Sequence, residues 1–331
     1  MRCILITSTK PLRILALTAG LGCTACAYAQ DYPVRGVRYV VPTTAGGSSD
    51  TLARVIAPRL ADALGQPVVI DNRPGANGII GSELVAKAAG DGYTLLQAAT
   101  SHATNPALGV KLPYDTLRDF APVTLLSQQP NLWIAHPSLP VGNIKALIAL
   151  AKARPGQIDF ASSGSGSSQH LAGELLKVLA GIQLMHIPYK GSPPALIDVL
   201  GGRVAVMVST LAPAMPHVKL ARLRALAITS SARANAAPDI PTVGESGVAN
   251  YEAISWQGVA APAGTPRSVV QRLNSELRKV LVQTEAQRQL AAQGYEPLSG
   301  TPDAFDAYIK AEIAKWSRVV KSAGLHATQA R

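Results

Sequence analysis

Val37-Arg-Tyr-Val-Val-Pro-Thr-Thr-Ala-Gly-Gly-Ser-Ser-Asp50 joins an apolar strand to an amphipathic helix through a loop of glycine and hydroxyl side chains. Val37 to Val41 reads as a short buried strand. From Thr51 the helical period sets in, with Leu52, Val55, Ile56 and Leu60 on one face. Ser48, Ser49 or Asp50 is expected to cap that helix. Gly46 and Gly47 let the backbone approach a ligand closely, and the first amides of the helix are unpaired at the positive end of its dipole. A small anion would suit the loop Pro42 to Asp50, although a plain strand-to-helix turn can have the same composition. The stretch therefore gains meaning from what the rest of the chain repeats.

Outward from this loop, the N-terminal segment reads as a leader rather than as fold. Arg2, Lys10 and Arg13 precede an apolar run from Ile14 to Leu21, and small residues follow, ending Ala27-Tyr28-Ala29. That is the pattern of a secretory signal peptide over residues 1–29, cleaved near Ala29, and the run is too short to read as a membrane span. All three cysteines, Cys3, Cys23 and Cys26, lie in this segment. The mature chain is thus expected to carry no disulfide. A lipid-anchored form would acylate Cys23 or Cys26, and neither has a leucine three residues upstream.

Without the leader, 28 Lys and Arg face 20 Asp and Glu, a net charge of +8. A basic balance favours anionic small molecules. These cations are scattered, with no basic block and no aromatic interleaving, so nucleic-acid binding is not expected. About 300 mature residues exceed the usual single core, and two domains follow. The low aromatic content argues against a sugar-stacking surface.

Along the chain, short β-branched runs alternate with longer amphipathic ones, as in parallel sheets covered by helices. Strands are expected at 68–71 and 93–98, with a helical run at 79–89. Pro58 is expected to kink or shorten the first helix. The strand 93–98 ends in Thr100-Ser101-His102, on the side where open α/β sheets bind ligands. Strands at 123–126 and 132–136 flank Gln128-Gln129-Pro130, which suits a crossing between domains. A second series of βα units then begins with a helix at 144–153 and a strand at 157–161. Ser162-Ser163-Gly164-Ser165-Gly166-Ser167-Ser168 leads from that strand into another helix. The same device thus appears once in each half, and two such loops could face each other across a cleft. Strands at 204–208 and 223–228, a return crossing at 251–261 and helices at 268–281, 285–292 and 304–322 complete the reading.

The chain resembles the substrate-binding receptors of tripartite tricarboxylate transporters, also called the Bug family. The resemblance rests on Gly46-Gly47-x-x-Asp50, Asn72-Arg73-Pro74-Gly75-Ala76 with Gly78 and Gly81, Asp91-Gly92-Tyr93-Thr94-Leu95-Leu96 and Asn105-Pro106-Ala107-Leu108. It continues through Gly164-x-Gly166-Ser167-x-x-His170-Leu171-x-Gly173-Glu174, His186-Ile187-Pro188-Tyr189-Lys190-Gly191, Leu223-Arg224-Ala225-Leu226-Ala227 and Pro238-Asp239-Ile240-Pro241-Thr242. The likeness implies a periplasmic, monomeric α/β protein of the type II binding-protein architecture. Each of its two lobes would be a mixed, mostly parallel sheet flanked by helices. On this reading residues 30–128 and 256–331 form one lobe and 129–255 the other, with crossings near 127–131 and 251–258. Such receptors hold a small organic carboxylate and deliver it to membrane transporter subunits, without a cofactor, a metal or catalysis.

Carried over position by position, the resemblance implies a site made in the first lobe by Thr43, Thr44, Ala45, Gly46, Gly47, Ser48 and Asp50, with Ser101 and His102. In the second lobe it implies Ser163, Gly164, Ser165, Gly166, Ser168 and His170, with Tyr189, Lys190, Gly191, Ser209 and Thr210. Three positions depart from the family pattern. Thr43 and Ala45 replace an aromatic residue and a proline, and Ser209 stands where an aspartate is frequent. Asp50 reads either as a contact to a ligand ammonium or as a first-turn carboxylate stabilised by the helix dipole. His170 and Lys190 read equally as ligand groups or as structural ones, His186 as structural and Trp316 as core packing.

A serine hydrolase and a periplasmic carboxylate sensor are the alternatives. The order Ser163-Gly164-Ser165-Gly166-Ser167 does not make a nucleophile elbow. None of the six histidines pairs at i, i+4, so no metal helix is expected. Dinucleotide and phosphate-loop motifs are absent as well. A sensor would use the same site, and the residues alone do not separate it from a transport receptor.

Overall fold

The structure, a computed structural model, describes residues 32–325, so the segment read as a signal peptide lies outside the described residues. Strand β1 (Val37–Val41) leads to helix α1 (Ser48–Leu64). Strand β2 (Val68–Asn72) leads to α2 (Ile79–Ala86), and β3 (Thr94–Ala99) passes directly into α3 (Thr100–Ala107). The long strand β4 (Phe120–Ala135) opens the second series. It is followed by α4 (Ile144–Ala153), β5 (Asp159–Ser162), α5 (Ser168–Ala180), β6 (Met185–Pro188), α6 (Ser192–Leu200), β7 (Val206–Thr210), α7 (Leu211–Lys219) and β8 (Arg224–Ile228). Strand β9 (Ile254–Pro262) returns, and α8 (Arg267–Leu281), α9 (Thr284–Ala292), β10 (Glu296–Pro297) and α10 (Pro302–Ser322) follow.

The strand order is β2-β1-β3-β9-β4-β7-β5-β6, with β8 and β10 also paired to β4. Parallel pairs occupy the outer parts, β1 with β2 and β3 and β5 with β6 and β7, as expected for βα units. Strands β4 and β9 pair antiparallel with each other and with their other neighbours, so the mixed sheets of the two lobes meet along them. Two strands with a polar crossing between them were expected at 123–136. One strand of 16 residues runs through instead, with register shifts at Pro122/Thr124 and Leu125/Ser127. The glutamines stay in the strand because other elements take their amides: Gln128 Nε2 donates to Tyr308 Oη and Gln129 Nε2 to the Gln293 carbonyl.

Strand alternation feeds a separate core on each face. In the first lobe Tyr39 and Val41 join Leu52, Ile56, Leu60 and Leu273, whereas Val40 points to Leu96, Trp256, Phe305 and Ile309. In the second lobe Trp133 packs with Phe160, Leu171 and Leu176, while Leu132 and Ile134 pack with Leu196 and Met207. Each such leucine or isoleucine contributes about 1.5–3 kcal/mol by leaving water. Helix α10 serves both lobes: Phe305 and Ile309 lie in a first-lobe core, and Trp316 and Val320 in a second-lobe core.

Two local departures have simple causes. Helix α1 continues through Pro58, because Pro58 lies on the exposed face, where water can solvate the carbonyl deprived of its partner. Helix α7 was not expected in the proline-rich run after Thr210. Its Pro213 falls in the first turn, where a missing N–H costs nothing, and Pro216, inside the helix, lies on the exposed side as Pro58 does.

Candidate functional site

Gly47, rather than Ser48, Ser49 or Asp50, is the N-cap of α1, and the helix starts three residues before Thr51. Asp50 instead reaches backward. Its Oδ2 accepts from the Gly46 N–H (2.8 Å) and from Arg54 Nε (2.8 Å), and its Oδ1 accepts from Asn72 Nδ2 (3.0 Å). The residue is 1% exposed. Burial pushes its carboxyl up, but the bonds from Arg54, Gly46 and Asn72 outweigh that and hold it below the usual carboxylate range. Both oxygens of Asp50 are thus used to tie down the loop, and Arg54 balances its charge. Gly46 adopts φ +77°, where only glycine is unstrained.

The second loop is fastened by different groups. Ser167 is the N-cap of α5, its Oγ accepting from the His170 N–H at 3.2 Å. His170 Nδ1 accepts from the Gly166 N–H at 3.1 Å, and its ring stacks on His186 at 4.0 Å between centroids. His186 Nε2 lies 2.6 Å from Ser162 Oγ, which accepts from the Gly164 N–H. Burial pushes His170 down to about 4 and His186 to about 3, so neither carries charge near neutral pH. Gly191 N donates to the Ser163 carbonyl, which lays the loop 189–191 along this one. The Tyr189 hydroxyl is spent on Asp198 (2.6 Å), and Lys190 is exposed.

Strand β9 brings the two loops together. Ser49 Oγ donates to Gln257 Oε1 at 3.0 Å, and Ser168 Oγ lies 2.6 Å from Ser255 Oγ. Positions 255 and 257 are on the same face of one strand, about 6.6 Å apart. Between them the Trp256 N–H donates to Thr100 Oγ1, which seats the start of α3 as well. The starts of α1 and α5 therefore stand side by side over β9. Main-chain N–H groups of Ser48, Ser49 and Asp50, and of Ser168 and Gln169, donate to no loop, cap or side-chain acceptor among the described residues. Thr43 Oγ1 beside the first loop is buried and unpartnered. This arrangement can hold an anion with two acceptor ends, one on each helix start, at sites with no uncompensated negative charge.

Beneath the loops lies a buried polar layer. Gln257 Oε1 also accepts from Gln97 Nε2 (3.1 Å), Gln97 Oε1 accepts from the Tyr39 hydroxyl, and Ser255 Oγ donates to Asn131 Oδ1 (3.2 Å). Sequence reading named Thr100 only as part of a polar strand end, and found none of Gln97, Asn131, Ser255 and Gln257. Their partners are distant along the chain, and the only available signal was glutamine and asparagine in otherwise apolar strands. The second loop also rests on the first lobe: Thr104 Oγ1 donates to the Gly166 carbonyl at 2.7 Å.

Other expected residues are placed differently. Ser101 and His102 lie in the first turn of α3 rather than at a strand end. His102 is buried against Phe120, with 4.8 Å between ring centroids, and burial pushes it down to about 4. Ser209 is fully buried within β7, its Oγ donating to the Thr210 carbonyl, and Thr210 caps α7. Among the described residues no group of three His, Cys, Asp or Glu could hold a metal, and no helix is long and apolar enough to cross a membrane.

Residues 52–325 match the family described as tripartite tricarboxylate transporter family receptor. Protein BugT of Bordetella pertussis is 40% identical over 319 residues, covering 96% of this chain and 98% of that protein. Among solved structures, Rpa4515 of R. palustris with adipate has a TM-score of 0.84 at 40% identity, covering 89% of this chain and 99% of that one. MatC of Rhodopseudomonas palustris with bound malate has a TM-score of 0.80 at 32% identity, covering 87% of this chain and 100% of that one.

Proposed function

Since the chain belongs to the tripartite tricarboxylate transporter receptor family, we propose that it is a periplasmic receptor that captures a small aliphatic dicarboxylate between its lobes and hands it to a membrane transporter. The observation that carries this reading is the pair of open helix starts seated on Ser255 and Gln257 of one strand. Each can take a carboxylate through main-chain amides, and charge-assisted bonds of that kind are short and strong. The two relatives with adipate and malate support an aliphatic diacid. Asp50, matched by Arg54 and Asn72, does not repel the anion, and the unpartnered Thr43 hydroxyl offers it one more donor.

Calorimetric titration with adipate, malate, citrate, glutamate and benzoate tests the reading. Micromolar binding of an aliphatic dicarboxylate, about −8 kcal/mol, is the expected result. If no dicarboxylate binds more tightly than millimolar, the reading is wrong. For the transport role, the liganded protein should retain transporter subunits from solubilised membranes, and retention of a sensor kinase alone would refute it.

A further inference from the structure

Three consecutive residues after α9 touch three parts of the molecule at once. The Gln293 carbonyl accepts from Gln129 Nε2 of β4 at 2.7 Å. Gly294 adopts φ +75° and lies so close to the start of α7 that a Cβ built on it would be 3.3 Å from Leu211 Cβ. Leu211 directly follows β7 and is buried in a second-lobe core. Tyr295 is buried among Leu52 and Ile56, and its hydroxyl donates to the Ser48 carbonyl at 2.5 Å. Beside it the Thr51 hydroxyl donates to the Gly47 carbonyl at 2.6 Å. One short segment thus connects the strand shared by both lobes, a second-lobe helix start and the first anion loop.

We propose that residues 293–295 couple the position of the second lobe to the geometry of the first loop, with Tyr295 as a positioning residue for ligand binding. Leu211 bears on Gly294, where glycine leaves room for the contact. While that contact is seated, Tyr295 holds the Ser48 carbonyl, so the open amides at 48–50 keep their aim. When the second lobe moves away, Gly294 loses its neighbour and the tyrosine its fixed reach. By linkage, an anion in the first loop favours the seating of Leu211 on Gly294 by the same factor. The ligand part of this inference rests on the receptor reading above, and the coupling itself does not.

The test compares Tyr295→Phe, Leu211→Gly and their combination, with Gly294→Ala, whose Cβ would press on Leu211 Cβ, in place of Leu211→Gly if the latter does not fold. Hydrogen exchange of the amides at 47–52 is measured first, without ligand. Each single variant should speed exchange there, and the double variant should do no more than the stronger single one. With adipate as probe, Tyr295→Phe should raise the dissociation rate about fivefold, as loss of one hydrogen bond implies, with the melting temperature nearly unchanged. A Leu211→Gly or Gly294→Ala variant that leaves exchange at 47–52 unaltered, or additive effects in the double variant, would overturn the coupling. Failure of the unaltered protein to bind adipate or any other dicarboxylate would count against the receptor reading, and the exchange result would still decide the coupling.

Discussion

The loop at 43–49 and the loop at 163–167 present the same kind of group, a helix start with open amides, but they are fastened by opposite means. The first is held by charge: Asp50, itself buried, takes Gly46, Arg54 and Asn72, and Thr44, Ala45 and Gly46 at the loop tip are exposed. The second is held by neutral groups, two stacked histidines and two serines, and it rests on Thr104 of the other lobe. The charged fastening, its carboxyl held below the usual range by Arg54, Gly46 and Asn72, keeps its strength through mildly acid pH. The neutral one keeps both imidazoles uncharged through burial first, and then through the nearby Lys177 charge. The difference shows that one binding geometry can be kept by two chemistries, one that answers a buried charge and one that avoids charge.

The largest effect should separate the loops by substitution. A Cβ on Gly164 would lie 3.0 Å from the Tyr189 carbonyl and one on Gly47 3.1 Å from the Thr44 carbonyl, but Gly164 also adopts φ +134°, whereas Gly47 has φ −73°, which any residue tolerates. Gly164→Val should therefore reduce dicarboxylate affinity more than a hundredfold and Gly47→Val about tenfold, judged from strain plus a displaced loop. Equal losses measured by calorimetry would break the comparison, and unchanged binding in folded variants would remove the clamp altogether.

Acid should act on the second loop through its histidines. Both fold with lowered pKa values, about 4 for His170 and about 3 for His186, so between pH 6.5 and those values the unfolded chain binds more protons. Stability from this source is complete above pH 6.5 and falls as pH drops, by up to about 1.4 kcal/mol per unit for each histidine. Denaturant unfolding at pH 7, 6 and 5 should show that slope, and His170→Gln should lessen it by one proton. An unaltered slope in the variant would show that His170 does not fasten the loop as a neutral acceptor.

A smaller effect is expected at Asp50. Asp50→Asn keeps the shape and removes the charge that Arg54 answers, so it should weaken adipate and glutamate alike by about tenfold, the worth of one charge-assisted bond. If glutamate suffers much more than adipate, the carboxylate meets a ligand ammonium, and the first loop is no longer fastened as described.

Much of this was legible in the sequence, for physical reasons that are visible in particular residues. The strand at 37–41 and the helix at 144–153 have the expected bounds, because alternation and a 3.6-residue period are local properties. Both glycine-serine loops were legible for the same reason. The crossing was not: Gln128 and Gln129 look like loop residues until Tyr308 and Gln293 take their amides from about 170 residues away. Ser255 and Gln257 were missed in the same way, since Ser49 is 208 residues from Gln257 and Ser168 is 87 from Ser255. His102 was misplaced because its polar ring says nothing about the side of α3 on which Phe120 waits. Periodicity reports which face is buried, but not which distant polar group lies there.

Helix α10, with Phe305 and Ile309 in one lobe's core and Trp316 and Val320 in the other's, has a thermodynamic consequence. Neither lobe can lose its packing without exposing apolar surface that the other shares. Heating therefore meets one cooperative unit, and the protein should melt in a single transition although its sheets are two.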